Sequence, residues 1–314
     1  MKRTLLVRSL AGLLALAGAW VAYTQTPQGK QAPPAQTKAP APFNLVKVTD
    51  DLYVIDGGGA GNVAVYITNE GVILVDDKFE QHFDEIMANI KKVTTQPVKY
   101  ILSTHYHADH GGGNTRFTSI AEIISTRNAH DGIVKKIQSN APPNMVPARV
   151  TFTEETDLFL GGKEVRAKYF GRGHTNGDAF VYFPALKVLH TGDMMTSGTP
   201  LIDYPGGGSI VEWTKTLDTV MGSLDFDTVI PGHGPVSKKA DLLTYRNKAA
   251  DLRTRAQALI RQGKSQDDVG KFMTAEYKWA PDSLNMQWSL ALDQDSANAW
   301  LREQIIKACA PRDT

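Results

Sequence analysis

The chain has 314 residues, which suits one large domain or one domain with a small appendage. Its 34 basic and 33 acidic side chains leave a formal net charge of +1, and there is no basic run, so we expect no nucleic-acid partner. The single cysteine, Cys309, excludes an intrachain disulfide and argues against thiolate ligation of a metal.

The N-terminus differs in composition from the rest of the chain. Lys2 and Arg3 precede an apolar run from Leu10 to Ala22, which is short for a membrane span but typical of an export signal. We therefore predict a signal peptide over residues 1–22 and a periplasmic or secreted protein without stable membrane insertion after cleavage; an uncleaved signal anchor is the alternative. Residues 23–42, rich in Pro, Gln, Ala and Lys, are predicted to be a disordered linker.

From Phe43 onwards, short β-rich runs alternate with amphipathic stretches. In the first half, the pattern predicts strands at Leu45 to Val48, Leu52 to Ile55, Val63 to Ile67, Val72 to Val75, Val98 to Leu102 and Ile120 to Ile124, with helices around Phe79 to Ile90 and Arg127 to Ile137. In the second half, it predicts strands at Thr156 to Leu160, Lys163 to Phe170, Ala179 to Phe183, Val188 to His190 and Thr228 to Ile230, with helices at Ile210 to Met221, Lys238 to Arg261, Gln266 to Tyr277 and Asp295 to Ala308. Two strand-rich halves, each with helices, predict an α/β fold in which two packed sheets are covered by helices on the outside.

The stretch from Val98 to Asn114 carries the most informative side chains. A predicted strand is followed by four metal-binding side chains within six positions: His105, His107, Asp109 and His110. Clustered polar rings are costly to bury without partners, and two metal ions would explain all four side chains. In an extended turn His105 and His107 point the same way, so they can share one ion.

Three more side chains of this kind follow later strands in glycine-rich loops. His174 lies in Gly-Arg-Gly-His-Thr-Asn-Gly, Asp193 in His-Thr-Gly-Asp and His233 in Pro-Gly-His-Gly-Pro. Because a rigid sheet can bring the ends of its strands to one edge, we expect all three to join the first cluster. Asp178 and His190 are expected to support the ligands or the core.

The ordered set His-Tyr-His-Ala-Asp-His, followed by separate His, Asp and His, resembles the metallo-β-lactamase-fold hydrolases from Leu45 to Val236. The resemblance implies a four-layer αββα sandwich, with a catalytic domain over residues 43–236 and a helical C-terminal part over residues 237–314 packed on it. It also implies two metal ions, one on His105, His107 and His174, the other on Asp109, His110 and His233, bridged by Asp193 and a hydroxide.

Nitrogen and oxygen ligands without thiolate suit zinc, so two Zn²⁺ are expected, with Mn or Fe left open. Neighbouring ions in such sites lie about 3.5–4 Å apart and can lower the pKa of a bound water to about 7. The hydroxide is expected to attack a carbonyl substrate, while Asp109 orients it and takes up its proton.

The ligand set resembles glyoxalase II, lactonases and related esterases, with an aspartate where some zinc β-lactamases have a cysteine. One scaffold hosts many chemistries, so the predicted reaction is broad: hydrolysis of a small ester, lactone or thioester or, weakly, a β-lactam. Phosphodiester hydrolysis on the same two ions stays open, although Arg172 is the only basic residue that the sequence places close by. A di-iron redox protein, which replaces the second motif histidine with glutamate, and a non-catalytic binding module, which loses ligands, are the alternatives of another class.

Two loops are expected to border the metals and to set specificity. Gly57 to Asn62 is expected to form either a floppy hairpin tip or a mobile flap over the site. Ile202 to Ser209 is the second loop, and its Tyr204 is expected to pack within the loop, with hydrogen bonding to a developing oxyanion as the alternative. The oligomeric state is left open.

Overall fold

The computed structural model describes residues 42–139 and 145–277, which belong to one compact unit. The predicted signal peptide, nearly all of the predicted linker, Cys309 and the helix predicted for Asp295 to Ala308 lie outside the described residues. Within the described ranges, no helix combines the length and the apolar character that crossing a membrane requires.

The strands follow the predicted order closely. They are β1 Asn44–Lys47, β2 Leu52–Asp56, β3 Val63–Ile67, β4 Val72–Val75, β5 Val98–Leu102, β6 Glu122–Thr126, β7 Val150–Phe152, β8 Glu155–Leu160, β9 Lys163–Tyr169, β10 Ala179–Phe183, β11 Val188–Thr196, β12 Thr228–His233 and β13 Ser237–Lys238. The helices are α1 Phe83–Lys91, α2 Ala108–Gly111, α3 Asn114–Phe117, α4 Arg127–Gln138, α5 Ile210–Ser223, α6 Lys239–Arg261 and α7 Gln266–Tyr277.

The strands form two sheets with mixed topology. In the first sheet β1 to β4 are antiparallel neighbours, whereas β4 to β7 run parallel to one another. In the second, β8 to β11 are antiparallel neighbours, β12 runs parallel to β11, and β13 closes the edge. Parallel neighbours need long crossover connections, which α1, α4 and α5 provide.

Three buried clusters define the layers. Tyr66 and Phe183 belong to the cluster between the two sheets. Ile86 of α1 packs on the outer face of the first sheet, and Trp213 of α5 and Leu242 of α6 pack on the outer face of the second. Because both faces of the central strands are covered, every residue of β4, β10 and β11 is buried. The αββα sandwich predicted for the chain is therefore confirmed.

The helical C-terminal part continues the outer layer of the second sheet. Tyr245 and Leu252 of α6 are buried in the same cluster as Trp213, and Val269 and Met273 of α7 join them. A helical part is thus present after β13, and the domain boundary at residue 236 stays a prediction.

β11 and β12 extend further than the sequence predicted, to Thr196 and His233. Gly192 has a φ of +51°, and the pairing register between β11 and β12 shifts beside it. A glycine adopts this left-handed conformation without steric cost, so β11 bulges at Gly192 and continues. The prediction that Asp193 and His233 lie in loops after their strands is therefore wrong, since both lie on the strands themselves.

Candidate metal centre

The structure brings together all seven side chains that the sequence singled out. They come from the turn after β5, the short helix α2, the β9–β10 loop and the carboxyl ends of β11 and β12: His105 and His107, Asp109 and His110, His174, Asp193 and His233. The side chains meet at one edge of the sandwich, because the carboxyl ends of β5, β11 and β12 all lie at that edge. The cluster is mostly buried, with His105, His110 and Asp193 at most 5% exposed.

Within this cluster the ligand atoms form groups of three that each lie within 4.8 Å of one another. The groups are His105, His107 and His174; Asp109, His110 and His233; and His105, His110 and Asp193.

Asp193 lies between the first two of these groups. Its Oδ1 is 3.2 Å from Nε2 of His110 and 3.4 Å from Nε2 of His233. Its Oδ2 is 3.6 Å from Nε2 of His174. One carboxylate thus has an oxygen directed at each group of three.

Hydrogen bonds on the outer side of His105 fix its tautomer. Thr104 donates its hydroxyl hydrogen to Oδ2 of Asp76 at 2.8 Å, so its oxygen accepts from Nδ1 of His105 at 3.0 Å. The proton of His105 is then on Nδ1, and Nε2 offers a lone pair to the cluster. This Nε2 is buried and has no hydrogen-bond partner among the described residues.

The other inward-facing rings are held in the same manner. Nδ1 of His110 donates to Oδ2 of Asp76 at 2.7 Å, and Nδ1 of His174 donates to the carbonyl of Leu201 at 2.6 Å. The ring of His107 is turned the other way: its Nε2 lies 2.8 Å from a carboxylate in the loop after β11, so Nδ1 faces inward. Hydrogen bonds of this kind orient metal-binding histidines and raise their basicity.

The inward nitrogens approach one another closely. Nδ1 of His107 is 2.9 Å from Nε2 of His174, and Nε2 of His110 is 3.2 Å from Nε2 of His233. His107 and His174 carry their protons on the outer nitrogens, so their inner nitrogens present two lone pairs, which repel at this distance unless a cation lies between them. Oδ1 of Asp193 is likewise buried without a hydrogen bond within the described ranges. Imidazole nitrogens and carboxylate oxygens without sulfur therefore fit a bound metal ion of the zinc type at this edge.

In the three-histidine group, burial favours the neutral rings that a metal requires. Burial lowers the pKa of His174 to about 4 and the pKa of His105 well below its usual range. Both side chains are neutral at pH 7 and need lose no proton to bind an ion.

In the second group, protons lie between carboxylates and imidazoles. Burial opposes the charge of His110 and His233, but nearby carboxylates outweigh it, raising the pKa of His110 well above its usual range and that of His233 to about 9. Burial raises the pKa of Asp109, but the contact with His233 and the charge of His110 outweigh it and lower the value to about 2. An ion bound here would displace protons, so binding should become tighter as the pH rises.

The glycine loop, residues 57–62, is tied down against this cluster. The Gly61 N–H donates to the carbonyl of Asp109 at 3.0 Å, and the side chain of Asn62 donates to two carbonyls at the carboxyl end of β12. The ammonium of Lys78, which is fully buried, donates to the carbonyl of Gly61 at 2.6 Å. These hydrogen bonds place the loop against the site, as the flap alternative predicted, and its mobility stays a prediction.

Asp178 and His190 are both buried, as expected for side chains that support the candidate ligands or the core. Asp178 accepts a hydrogen bond from the N–H of Thr175, directly after His174, and burial raises its pKa to about 7. His190 is buried in β11 and accepts from the N–H of Gly192. Tyr204 is buried in the cluster on the outer face of the second sheet, in agreement with its expected packing role.

Sequence reasoning missed two carboxylates that contact the cluster. Asp76, directly after β4, contacts His110, and its position at the carboxyl end of a strand was a signal that could have identified it. Asp203 contacts His107 from the loop after β11, and nothing in its local sequence marks it.

Comparison with known proteins agrees with this geometry. Residues 45–233 match the model of the metallo-beta-lactamase superfamily. A metallo-beta-lactamase type 2 of Elizabethkingia meningoseptica is 27% identical over 199 residues, which cover 60% of this chain and 78% of the relative. A metallo-beta-lactamase type 2 of Bacillus cereus is 24% identical over 194 residues, covering 58% of this chain and 70% of the relative.

Solved structures share the fold. A metallo-beta-lactamase from Pontibacter korlensis has a TM-score of 0.58 at 20% identity and covers 67% of this chain and 99% of its own. The sec-alkyl sulfatase PisA1, solved as a double mutant, has a TM-score of 0.61 at 16% identity and covers 78% of this chain and 47% of its own. With the family match over most of the sandwich and the His/Asp cluster at its edge, the chain belongs to the metallo-beta-lactamase superfamily of metal-dependent hydrolases.

Proposed function

We propose that this chain hydrolyses a small carbonyl compound at two zinc ions. One ion would be held by His105, His107 and His174, the other by Asp109, His110 and His233, with Asp193 shared between them. The observation that carries the proposal is the buried carboxylate of Asp193, whose two oxygens face the two groups separately. A single-ion site would need only one of those groups.

Two ions held in this way would supply a water whose pKa is about 7 and would polarise a carbonyl oxygen. The chain's own residues determine where such a reaction takes place. His107, Asp109 and His233 have side chains that are 23%, 28% and 32% exposed, so the cluster opens to solvent on their side. His105 and His110 close the opposite side. A substrate carbonyl therefore has to approach past Asp109 and His233.

Asp109 is a candidate ligand that also faces the open side of the cluster. Its pKa of about 2 keeps it ionised at neutral pH, and its Oδ2 lies 3.1 Å from Nε2 of His233 at the open side. An ionised carboxylate accepts hydrogen bonds only, so Asp109 would orient an attacking water. Taking up the proton of that water as well would require a higher pKa of Asp109 in the metal-bound site, because a base of pKa about 2 is a weak proton acceptor at neutral pH.

A substrate panel with zinc-loaded and chelator-treated protein tests the proposal. We expect turnover of p-nitrophenyl acetate or a lactone, its loss with chelator and its return with zinc. His174→Gln should abolish it, whereas His130→Gln should not, because His130 lies on α4 and bonds the carbonyl of Ala148. Nitrocefin and bis-p-nitrophenyl phosphate complete the panel. Turnover of the phosphodiester alone, or turnover that survives chelation, would overturn the proposal.

A further inference from the structure

A cleft of about 550 Å³ lies beside the metal centre, between α4 and the loop after β11. This volume is in the range of small-molecule sites. One face of α4 lines it, since Asn128, Gly132 and Lys136 recur there at helical spacing. The opposite wall contains Gly206 and its neighbours in the loop.

Tyr106 connects this cleft to the three-histidine group. Its ring lines the cleft and lies 4.7 Å from the ring of His107, centroid to centroid. Its hydroxyl donates to Asp203, the carboxylate that also contacts His107. Gly206 leaves the space that the hydroxyl occupies, because a Cβ there would overlap it. A molecule in the cleft is therefore one side chain away from a metal ligand.

Lys135 and Lys136 both line this cleft, and Lys136 is the one whose ammonium lies against the ring of Tyr106. Its Nζ lies 4.2 Å from the centroid of the Tyr106 ring, and the side chain is half-buried. Burial lowers the pKa of Lys136, while the charges of Asp203 and Asp109 act in the opposite direction. The ammonium therefore interacts electrostatically with two carboxylates on the side of the metal centre. Its ammonium has no hydrogen bond or ion pair with another described residue, which leaves its three donors available to a ligand.

We propose that Lys136 binds a carboxylate of the substrate while the substrate's carbonyl group lies at the metal centre. The substrate class is then an anionic ester, lactone or thioester, and in this respect the inference rests on the proposed function. Lys135 and Asp131 also line the cleft, so its charged side chains together carry a single positive charge, which favours a singly charged group over a phosphate dianion. The side chain of Asn176 adds a neutral polar residue to the lining of the cleft.

Binding of glutarate to the zinc-loaded protein, measured by calorimetry, tests the role of Lys136 without turnover. We expect Lys136→Met to raise the Kd at least about tenfold, which corresponds to about 1.4 kcal/mol, and Lys136→Arg to retain most of the affinity. Acetate, which has no second carboxylate, should bind to both variants as it does to the wild type. Lys248→Met is the matched control, since Lys248 lines a separate cleft of about 360 Å³ beside His233.

The proposal is overturned if the wild type does not bind glutarate, if Lys136→Met binds it as tightly as the wild type, or if Lys248→Met is the variant that loses affinity.

Hydrolysis of mono-p-nitrophenyl glutarate and of p-nitrophenyl acetate shows whether the anion site or the proposed carbonyl hydrolysis has failed. Lys136→Met should raise the KM for the anionic ester only. If glutarate binding depends on Lys136 but neither ester is hydrolysed, carbonyl hydrolysis fails and the anion site stands. If both esters are hydrolysed with a KM that is independent of Lys136, the anion site fails and the hydrolase stands.

Discussion

Oδ2 of Asp203 lies 2.8 Å from Nε2 of His107, although 96 positions separate the two residues in the chain. The other oxygen of Asp203 accepts from the N–H of Gly206 at 3.0 Å, so the loop itself holds the carboxylate in place. A hydrogen bond from Nε2–H to this carboxylate leaves Nδ1 of His107 as the nitrogen that faces His174. The loop after β11 thus sets the orientation of a side chain in the turn after β5.

Removing this carboxylate should weaken metal binding at the three-histidine group. For Asp203→Ala we expect a loss of about 10–100-fold in zinc affinity, the usual effect of deleting a carboxylate that orients a ligand. Competition with a chromogenic chelator measures it. Asp131→Ala is the control, because Asp131 is an exposed carboxylate on α4 that lies on the wall of the neighbouring cleft. Equal affinities of the two variants would show that the contact with His107 does not orient the ligand.

Gly232 is a position where any side chain should displace the shared carboxylate. A Cβ there would overlap Oδ1 of Asp193, which is buried and has no room to retreat. Gly232→Ala should therefore reduce bound zinc below the wild-type content and destabilise the fold by about 1–3 kcal/mol. Metal analysis and urea unfolding give the two readouts.

Gly222→Ala is the matched control for that variant. Gly222 lies inside α5, and a Cβ there meets no atom within 4 Å. The substitution should leave the zinc content unchanged and stabilise the protein by up to about 1 kcal/mol, because alanine favours the helix interior. A Gly232→Ala protein with full zinc content would contradict the close contact with Asp193.

His190 should make the fold sensitive to acid. Burial lowers its pKa from 6.5 to about 4, so the folded protein keeps the ring neutral in the range where the unfolded chain is protonated. The unfolded state therefore binds more protons between those two values, and stability falls as the pH drops through that window. We expect the wild type, freed of metal, to lose about 2 kcal/mol more than His190→Gln between about pH 7 and pH 4.5. Urea unfolding at both pH values measures the difference, and parallel losses in the two proteins would refute it.

The candidate metal-binding side chains could be found from the sequence because metal binding constrains residue type and spacing locally, and the structure brings them together. Four of these side chains crowd into six positions after β5, and His174 lies in a glycine-rich loop after β9. The αββα sandwich was equally accessible, since it needs only the alternation of short strands with amphipathic helices. The strand ends were harder to predict, because Gly192 resembles a turn residue in sequence and yet forms a bulge inside β11.

The groups that hold the ligands were not accessible in the same way. Asp203 contacts His107 only because the fold brings two distant loops together. The hydroxyl of Thr104 accepts from His105 because it donates to Asp76, 28 positions earlier in the chain. The sequence did not show what holds the glycine loop, residues 57–62, because its hydrogen-bond partners are distant in the chain. The ammonium of Lys78 is one of them. Local patterns do not encode such contacts, which depend on how the two sheets bring separate turns together.

Anomalous diffraction at the zinc edge from crystals of zinc-loaded protein tests the central claim most directly. The account predicts two peaks about 3.5–4 Å apart, one contacting His105, His107 and His174 and the other contacting Asp109, His110 and His233, with an oxygen of Asp193 on each. A single peak at full zinc saturation, or a pair of peaks of which only one contacts Asp193, would contradict it.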